Sequence, residues 1–330
     1  MSAGNYHLKV IGSNNDGLWN EEGASLFIRV LPPWWKTKFA YVMYFLFVFG
    51  FLYGTRRYEL NRREQKAQIR ESALRIKATE AEKRALEIEN YRKTREFEEA
   101  RKLQLSMLPK VLPELPDLEI AAFMRTATEV GGDYYDFMIQ DDGALNIVFG
   151  DATGHGLKAG TMVTLMKGFF TSDASKLGFQ EFLNHCSEVI KDIDLGRILM
   201  SLTYLKIKDQ KLQITCAGMP PIYFYHSDNN EVEEIFIPGI PLGAIRNAEY
   251  KNEERELKSG DIIMLLTDGL PEFLNQEEEM FEYERVKALF GENTKCPPEK
   301  IIANLVEAGD KWLDGKYQED DITFLVIKVK

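Results

Sequence analysis

Four acidic positions in this 330-residue chain sit where their chemistry could be pooled. Asp133 closes Gly131-Gly132-Asp133, Asp151 lies in Gly150-Asp151-Ala152-Thr153-Gly154-His155-Gly156, Asp268 lies in Thr267-Asp268-Gly269, and Asp320 opens Asp320-Asp321-Ile322-Thr323. Three adjoin apolar runs: 144–149 before the second, 262–266 before the third and 324–327 after the fourth. Short apolar runs bounded by Gly and Asp read as buried strands. The four carboxylates are therefore expected at strand ends, where elements distant in sequence can converge. Converging carboxylates repel one another unless a cation lies between them. Oxygen donors suit Mg²⁺ or Mn²⁺, and the three cysteines and four histidines form no spacing that suits zinc. His155, flanked by glycines four residues after Asp151, is placed to protonate a leaving alkoxide; the alternative is a histidine hydrogen-bonded beside a turn. Singly, Asp268-Gly269 also reads as a plain turn and Asp320 as a solvated strand start. Asp136, Asp141 and Asp142 read as surface or turn residues, and His185 and His226 as structural.

The elements that must carry these residues follow from pattern. LEIAAFM, YDFMI, ALNIVFG, MSLTYLKI, KLQITCA, IYFYH and EEIFI are strand-like, while 156–171, 178–191, 281–290 and 298–312 are helix-like. Strands, then helices, then strands and helices again fit an α/β layered sandwich with two sheets inside and helices outside.

The segments Glu129 to Phe137, GDATGHG, Pro241-Leu242-Gly243, Gly260-Asp261 followed by LLTDGLPE, and DDITFLVI resemble, in order, the SpoIIE-type branch of the metal-dependent PP2C serine/threonine phosphatases. The resemblance runs from about Leu103 to the C-terminus and implies a PP2C-like α-β-β-α sandwich. It also implies two Mn²⁺ or Mg²⁺ ions. Asp151 then matches the carboxylate shared by both ions and the Ala152 carbonyl the adjacent main-chain ligand. Asp133 matches a ligand of one ion, and Asp268 and Asp320 match ligands of the other. Asp321 stands where some relatives carry Asn, which leaves it either outside the ligand set or on a third ion. Glu129 is expected to orient Asp133 without ligating. His155 matches the GHG histidine that the wider family places beside the metals. The chain departs from the family at Cys216-Ala217-Gly218-Met219-Pro220-Pro221, where relatives often carry Asn-Ala-Gly-His-x-Pro. The implied substrate is a phosphoserine or phosphothreonine protein of a partner-switching pathway, such as an anti-sigma-factor antagonist.

The remainder of the chain reads as the setting for that domain. Phe39 to Thr55 carries no charge, has Trp34, Trp35, Tyr41 and Tyr53 flanking or lining its ends, and is long enough for a short membrane span. Arg56, Arg57, Arg62 and Arg63 follow it, against Lys36 and Lys38 before it, which places the C-terminal side in the cytoplasm. The expectation is a single-pass protein of the bacterial inner membrane with its N-terminus outside. Residues 5–30 read as two strands around an Asn-Asp-Gly turn, similar to the C-terminal end of a Y_Y_Y sensor β-sandwich. Leu60, Ala67, Leu74, Ala81 and Ile88 recur every seven residues, a heptad seam that predicts a homodimeric stalk; a solvated single helix is the alternative. The expected division is 1–33 (sandwich remnant), 34–55 (transmembrane helix), 56–108 (coiled-coil linker) and 109–330 (phosphatase). A net charge of −11 argues against nucleic-acid binding. Cys186, Cys216 and Cys296 read as buried small hydrophobes in a reducing compartment. The competing functions are a non-catalytic docking module and a sensor kinase. The first is disfavoured because every recognisable ligand is present. The second is disfavoured because there is no His-bearing dimerisation box or Gly-rich nucleotide loop.

Overall fold

The computed structural model describes residues 1–127, 130–193, 196 and 198–330, and the chain forms two compact units, Met1–Glu89 and Asn90–Lys330. In the first unit, β1 (Gly4–Val10) and β2 (Ala24–Val30) pair antiparallel from Gly4 opposite Val30 to Val10 opposite Ala24. The Asn-Asp-Gly turn closes an inner Ser13–Trp19 bridge, where the Asn14 side chain accepts the Asp16 and Leu18 N–H groups. Leu8, Leu26 and Phe27 on this ribbon are exposed. After one 3-10 turn at Trp34–Lys36, the helix α1 (Lys38–Met107) begins, with the Thr37 hydroxyl accepting the Ala40 N–H at its start. From Arg56 to Met107 nothing in the sequence interrupts it, since neither Pro nor Gly occurs there. Its apolar side chains from Phe39 to Tyr53 are exposed almost all round, and this helix is long and apolar enough to cross a membrane.

The second unit holds two five-stranded sheets. One is ordered β10-β7-β6-β5-β4, from β4 (Asp133–Ile139), β5 (Leu145–Ala152), β6 (Met200–Lys208), β7 (Lys211–Ala217) and β10 (Asn252–Glu256). The other is ordered β3-β12-β11-β8-β9, from β3 (Leu118–Arg125), β8 (Ile222–His226), β9 (Glu231–Ile235), β11 (Ile262–Leu266) and β12 (Ile322–Val329). Strand alternation sorts the side chains into layers. Leu145, Ile147 and Phe149 of β5 meet Ile263 and Leu265 of β11 and Leu325 and Ile327 of β12 between the sheets. Val148 points outward beneath α2 (Leu157–Asp173) and α3 (Phe179–Ile193), with Met162, Met166, Phe170 and Phe182. On the other side Met264, Leu266, Phe324 and Val326 lie under α4 (Tyr283–Asn293) and α5 (Pro298–Leu313), with Phe290, Ile301 and Leu305. The order is helices, sheet, sheet, helices. Covered on both faces, β11 is buried throughout, which is why it reads as an unbroken apolar run.

One strand was not expected from the sequence, and one reading needs correction. β10 pairs with β7 although its sequence, Asn252-Glu253-Glu254-Arg255-Glu256, has no apolar residue. Cys186 and Cys216 are buried, but Cys296 is only half-buried.

Candidate active site

The acidic positions meet at one end of the sandwich. On the first sheet Asp133 opens β4 and Asp151 lies near the end of β5, and the two are directly opposite in register. On the second sheet Asp268 follows β11 and Asp320-Asp321 precede β12, whose adjoining ends pair at Leu266 and Phe324. Antiparallel pairing joins the two positions within each sheet, and the packing of one sheet on the other brings positions 117 or more apart in sequence (Asp151 to Asp268) to the same end.

Close approach at this edge requires glycine. A Cβ on Gly132 would lie 2.5 Å from the Ala152 carbonyl oxygen and 2.8 Å from Asp151 Oδ1; one on Gly131 would lie 2.1 Å from Asp321 Oδ2. The chain at Gly131-Gly132 is therefore pressed onto the oxygen atoms of the site. Asp321 holds it there, with Oδ2 accepting the Gly132 N–H at 2.7 Å and Oδ1 the Ala127 N–H at 2.8 Å. Its oxygens are committed to backbone. Asp133 is nearly sealed from solvent, and its Oδ2 accepts hydroxyl donors from Thr267 at 3.0 Å and Thr323 at 2.5 Å.

A third anchor comes from α1. Gln104, itself buried, donates Nε2–H to the Gly131 carbonyl at 2.6 Å and accepts the Gly131 N–H on Oε1 at 3.0 Å. Sequence reasoning did not assign Gln104 to the site. A lone glutamine beside Leu103, Met107 and Leu108 at the end of a charged helix was the available signal.

Electrostatically the cluster is strained. Burial, reinforced by the charges of Asp151 and Asp321, raises Asp133 well above the usual carboxylate range. Burial and then the charges of Asp268, Asp320 and Asp321 push Asp151 from 3.8 to about 8. Burial followed by Glu272 raises Asp268. Asp320 is raised chiefly by burial and by Asp268 and Asp321, while His155 opposes the rise. Among the described residues, no Lys, Arg or His makes an ion pair with these four side chains, and no three His, Cys, Asp or Glu residues form a ready ligand group. The donors nonetheless fit a divalent cation: all are oxygens, and the glycine cradle packs the Ala152 carbonyl and Asp151 Oδ1 on one spot.

His155 is exposed in the loop between β5 and α2, close enough to Asp320 to act on its charge. Glu129 lies outside the described residues. Asp136, expected at the surface, is instead buried under α2, where Lys167 Nζ reaches its Oδ2 at 2.6 Å and the Tyr134 hydroxyl at 2.8 Å. Asp142 does cap a turn, accepting the Ala144 N–H. Leu242 of the Pro241-Leu242-Gly243 motif bridges to Met200, bracing β6 rather than the carboxylates. His226 pairs with Glu233 at 2.8 Å, and His185 lies against Phe169.

The raised Asp151 predicts how stability depends on pH. The folded chain holds a proton there that the unfolded chain releases near 3.8, so the stabilisation is lost as pH rises toward and through about 8. The exposed carboxyls held low by basic partners, Asp142, Asp192 and Asp228, have finished titrating below this window. In EDTA, the Tm of the 90–330 unit is expected to fall between about pH 5 and pH 8. Mn²⁺ is expected to remove that fall. Scanning fluorimetry across this range checks it; a Tm that is flat or rises in EDTA contradicts it.

Comparison with known proteins agrees with this architecture. The profile of Stage II sporulation protein E (SpoIIE) matches residues 141–330. The phosphoserine phosphatase RsbU of Bacillus subtilis (strain 168) is 25% identical over 239 residues, spanning 71% of this chain and 70% of that protein. The phosphoserine phosphatase RsbP of the same organism is 21% identical over 243 residues, spanning 72% of this chain and 58% of that protein. The solved SiaA-PP2C domain of Pseudomonas aeruginosa shares the fold, with a TM-score of 0.64 at 20% identity over 73% of this chain and 98% of that domain.

Proposed function

The chain belongs to the SpoIIE family, and on that footing we propose a membrane-tethered, metal-dependent phosphatase acting on phosphoserine or phosphothreonine of a cytoplasmic regulatory protein. The observation that carries the reading is the convergence of Asp133, Asp151, Asp268 and Asp320 at one end of both sheets, without basic partners among the described residues. Asp151 would be shared by two Mn²⁺ or Mg²⁺ ions and the Ala152 carbonyl would be the adjacent main-chain ligand, with Asp133 on one ion and Asp268 and Asp320 on the other. Bound there, the ions would supply charge neutralisation and would acidify the attacking water. The protein's own contribution is positional. Gly131 and Gly132 admit the backbone, while Asp321 and Gln104 fix it, so the carboxylates are held before substrate arrives. The exposed His155, beside Asp320, would donate the proton that a departing seryl oxygen needs.

That role predicts a leaving-group effect. His155→Ala is expected to slow hydrolysis of a phosphoserine peptide by roughly 10²-fold. The loss should be much smaller for p-nitrophenyl phosphate, whose leaving group needs no proton. Comparing kcat on the two substrates tests this; equal losses on both assign His155 to some other task.

The phosphoserine phosphatase activity named for RsbU and RsbP supports a phosphoserine substrate, and an anti-sigma-factor antagonist is the proposed class of protein to carry it. The exposed apolar start of α1 supports a single-pass anchor in the bacterial inner membrane, and the following arginines support a cytoplasmic phosphatase. Along 56–108 the heptad positions Leu60, Leu74 and Ile88 are exposed, which supports homodimerisation through the stalk. A Leu74→Cys variant in membranes is expected to cross-link into a dimer on mild oxidation. Only monomer, with the phosphatase still active, would make the stalk a single-chain tether.

A further inference from the structure

Two threonines on the second sheet close around one oxygen of Asp133 on the first. Thr267 and Thr323 are each about 1% exposed and Asp133 about 2%, so water does not compete for these contacts. The Thr267 hydroxyl accepts the Thr323 N–H at 3.0 Å, which turns its own proton away from that bond and toward Asp133 Oδ2, 3.0 Å distant. The Thr323 hydroxyl reaches the same Oδ2 at 2.5 Å. The Thr267 N–H donates to the Thr323 carbonyl at 3.1 Å, so the two threonines are locked to each other before they touch the carboxylate.

We propose that Thr267 and Thr323 are positioning residues that saturate Asp133 Oδ2 and so leave Oδ1 as the one oxygen through which Asp133 meets a divalent cation. Both lone-pair directions of Oδ2 are taken, and a short buried hydroxyl–carboxylate contact is among the stronger hydrogen bonds. The carboxylate can neither rotate to offer Oδ2 nor chelate through both oxygens. Because Thr267 directly precedes Asp268, and Thr323 follows Asp320 by three residues, the same pair ties the ligand of one sheet to the ligands of the other. Outer hydrogen bonds of this type set the orientation of a ligand and, through it, affinity. The inference rests on the metal-site reading given above.

The test uses the full chain in neutral detergent and Mn²⁺ alone, with binding followed by the electron paramagnetic resonance signal of free Mn²⁺. Thr323→Val and Thr267→Val replace each hydroxyl by a methyl of similar volume, and Thr323→Ser and Thr267→Ser restore it. Each valine variant is expected to weaken Mn²⁺ binding about 10- to 100-fold, and each serine variant to bind within about threefold of the parent. Valine variants that bind Mn²⁺ like the parent overturn the proposal while leaving the metal site standing. Equal weakening by valine and serine also overturns it, since packing rather than the hydroxyl would then be responsible. A parent protein that binds no Mn²⁺ overturns the metal site and this proposal with it.

Discussion

Asp151→Asn is expected to reduce hydrolysis of p-nitrophenyl phosphate by roughly 10³-fold or more, the scale on which removal of one preorganised charge-stabilising group is felt. Asparagine keeps the shape and one oxygen but removes the negative charge that two cations would share. The same change should raise the stability of the metal-free protein. Asp151 lies within the fields of Asp268, Asp320 and Asp321 and is buried, so its ionised form is costly, and a neutral amide escapes that cost. The expected outcome is therefore a split: in EDTA near pH 8, Asp151→Asn melts above the parent, while in Mn²⁺ it turns over far more slowly and gains less from the metal. Sites that concentrate like charge for function show this opposition between stability and activity. Near-parental turnover would mean that the reaction occurs elsewhere in the molecule.

How much of this was legible in the sequence depends on how far each signal reaches. β5, β11 and β12 announced themselves because both faces are covered, by the other sheet and by helices, so the runs are apolar without interruption. β10 gave no such signal. It is an edge strand held to β7 by backbone pairing from Asn252 opposite Thr215 to Glu256 opposite Lys211, and its charged side chains stay largely in water. Asp136 misled for the opposite reason. Its place in β4 puts it on the helix side with Tyr134, and Lys167, 31 residues away, with the Tyr134 hydroxyl and the Phe137 N–H, makes that burial tolerable.

The acidic positions themselves were visible as Gly-Asp and Asp-Gly punctuation, and pairing places Asp133 opposite Asp151 as convergence required. What holds them in place was not visible. The Thr267 and Thr323 contacts to Asp133 span 134 and 190 residues, and the Asp321 contact to Gly132 spans 189. Nothing local distinguishes these side chains from others on a strand. Asp321, read either as outside the ligand set or on a third ion, is likewise tied by distant contacts, its oxygens accepting the Gly132 and Ala127 N–H groups. Gln104 is a related case, because its buried amide pairs with both polar groups of Gly131 from a helix that looked, in sequence, like a connector.

The second large effect concerns the cations directly. Every group assigned as a metal ligand is an oxygen donor, and Asp133, Asp151, Asp268 and Asp320 are each raised above the ordinary carboxylate range by burial and by their neighbours. Such a cluster favours protons when metal is absent and should release them when a divalent cation binds, so affinity should increase from acid pH toward about 8. In the proposed mechanism hydrolysis requires the cation-bound form, because the cations would neutralise the phosphate and acidify the attacking water. The decisive measurement is p-nitrophenyl phosphate hydrolysis by the chain after full chelation with EDTA, followed by titration with Mn²⁺ or Mg²⁺. The account predicts that activity disappears on chelation, returns saturably with either cation, and returns at lower cation concentration as pH rises toward about 8. Turnover that persists unchanged in metal-free protein would contradict it.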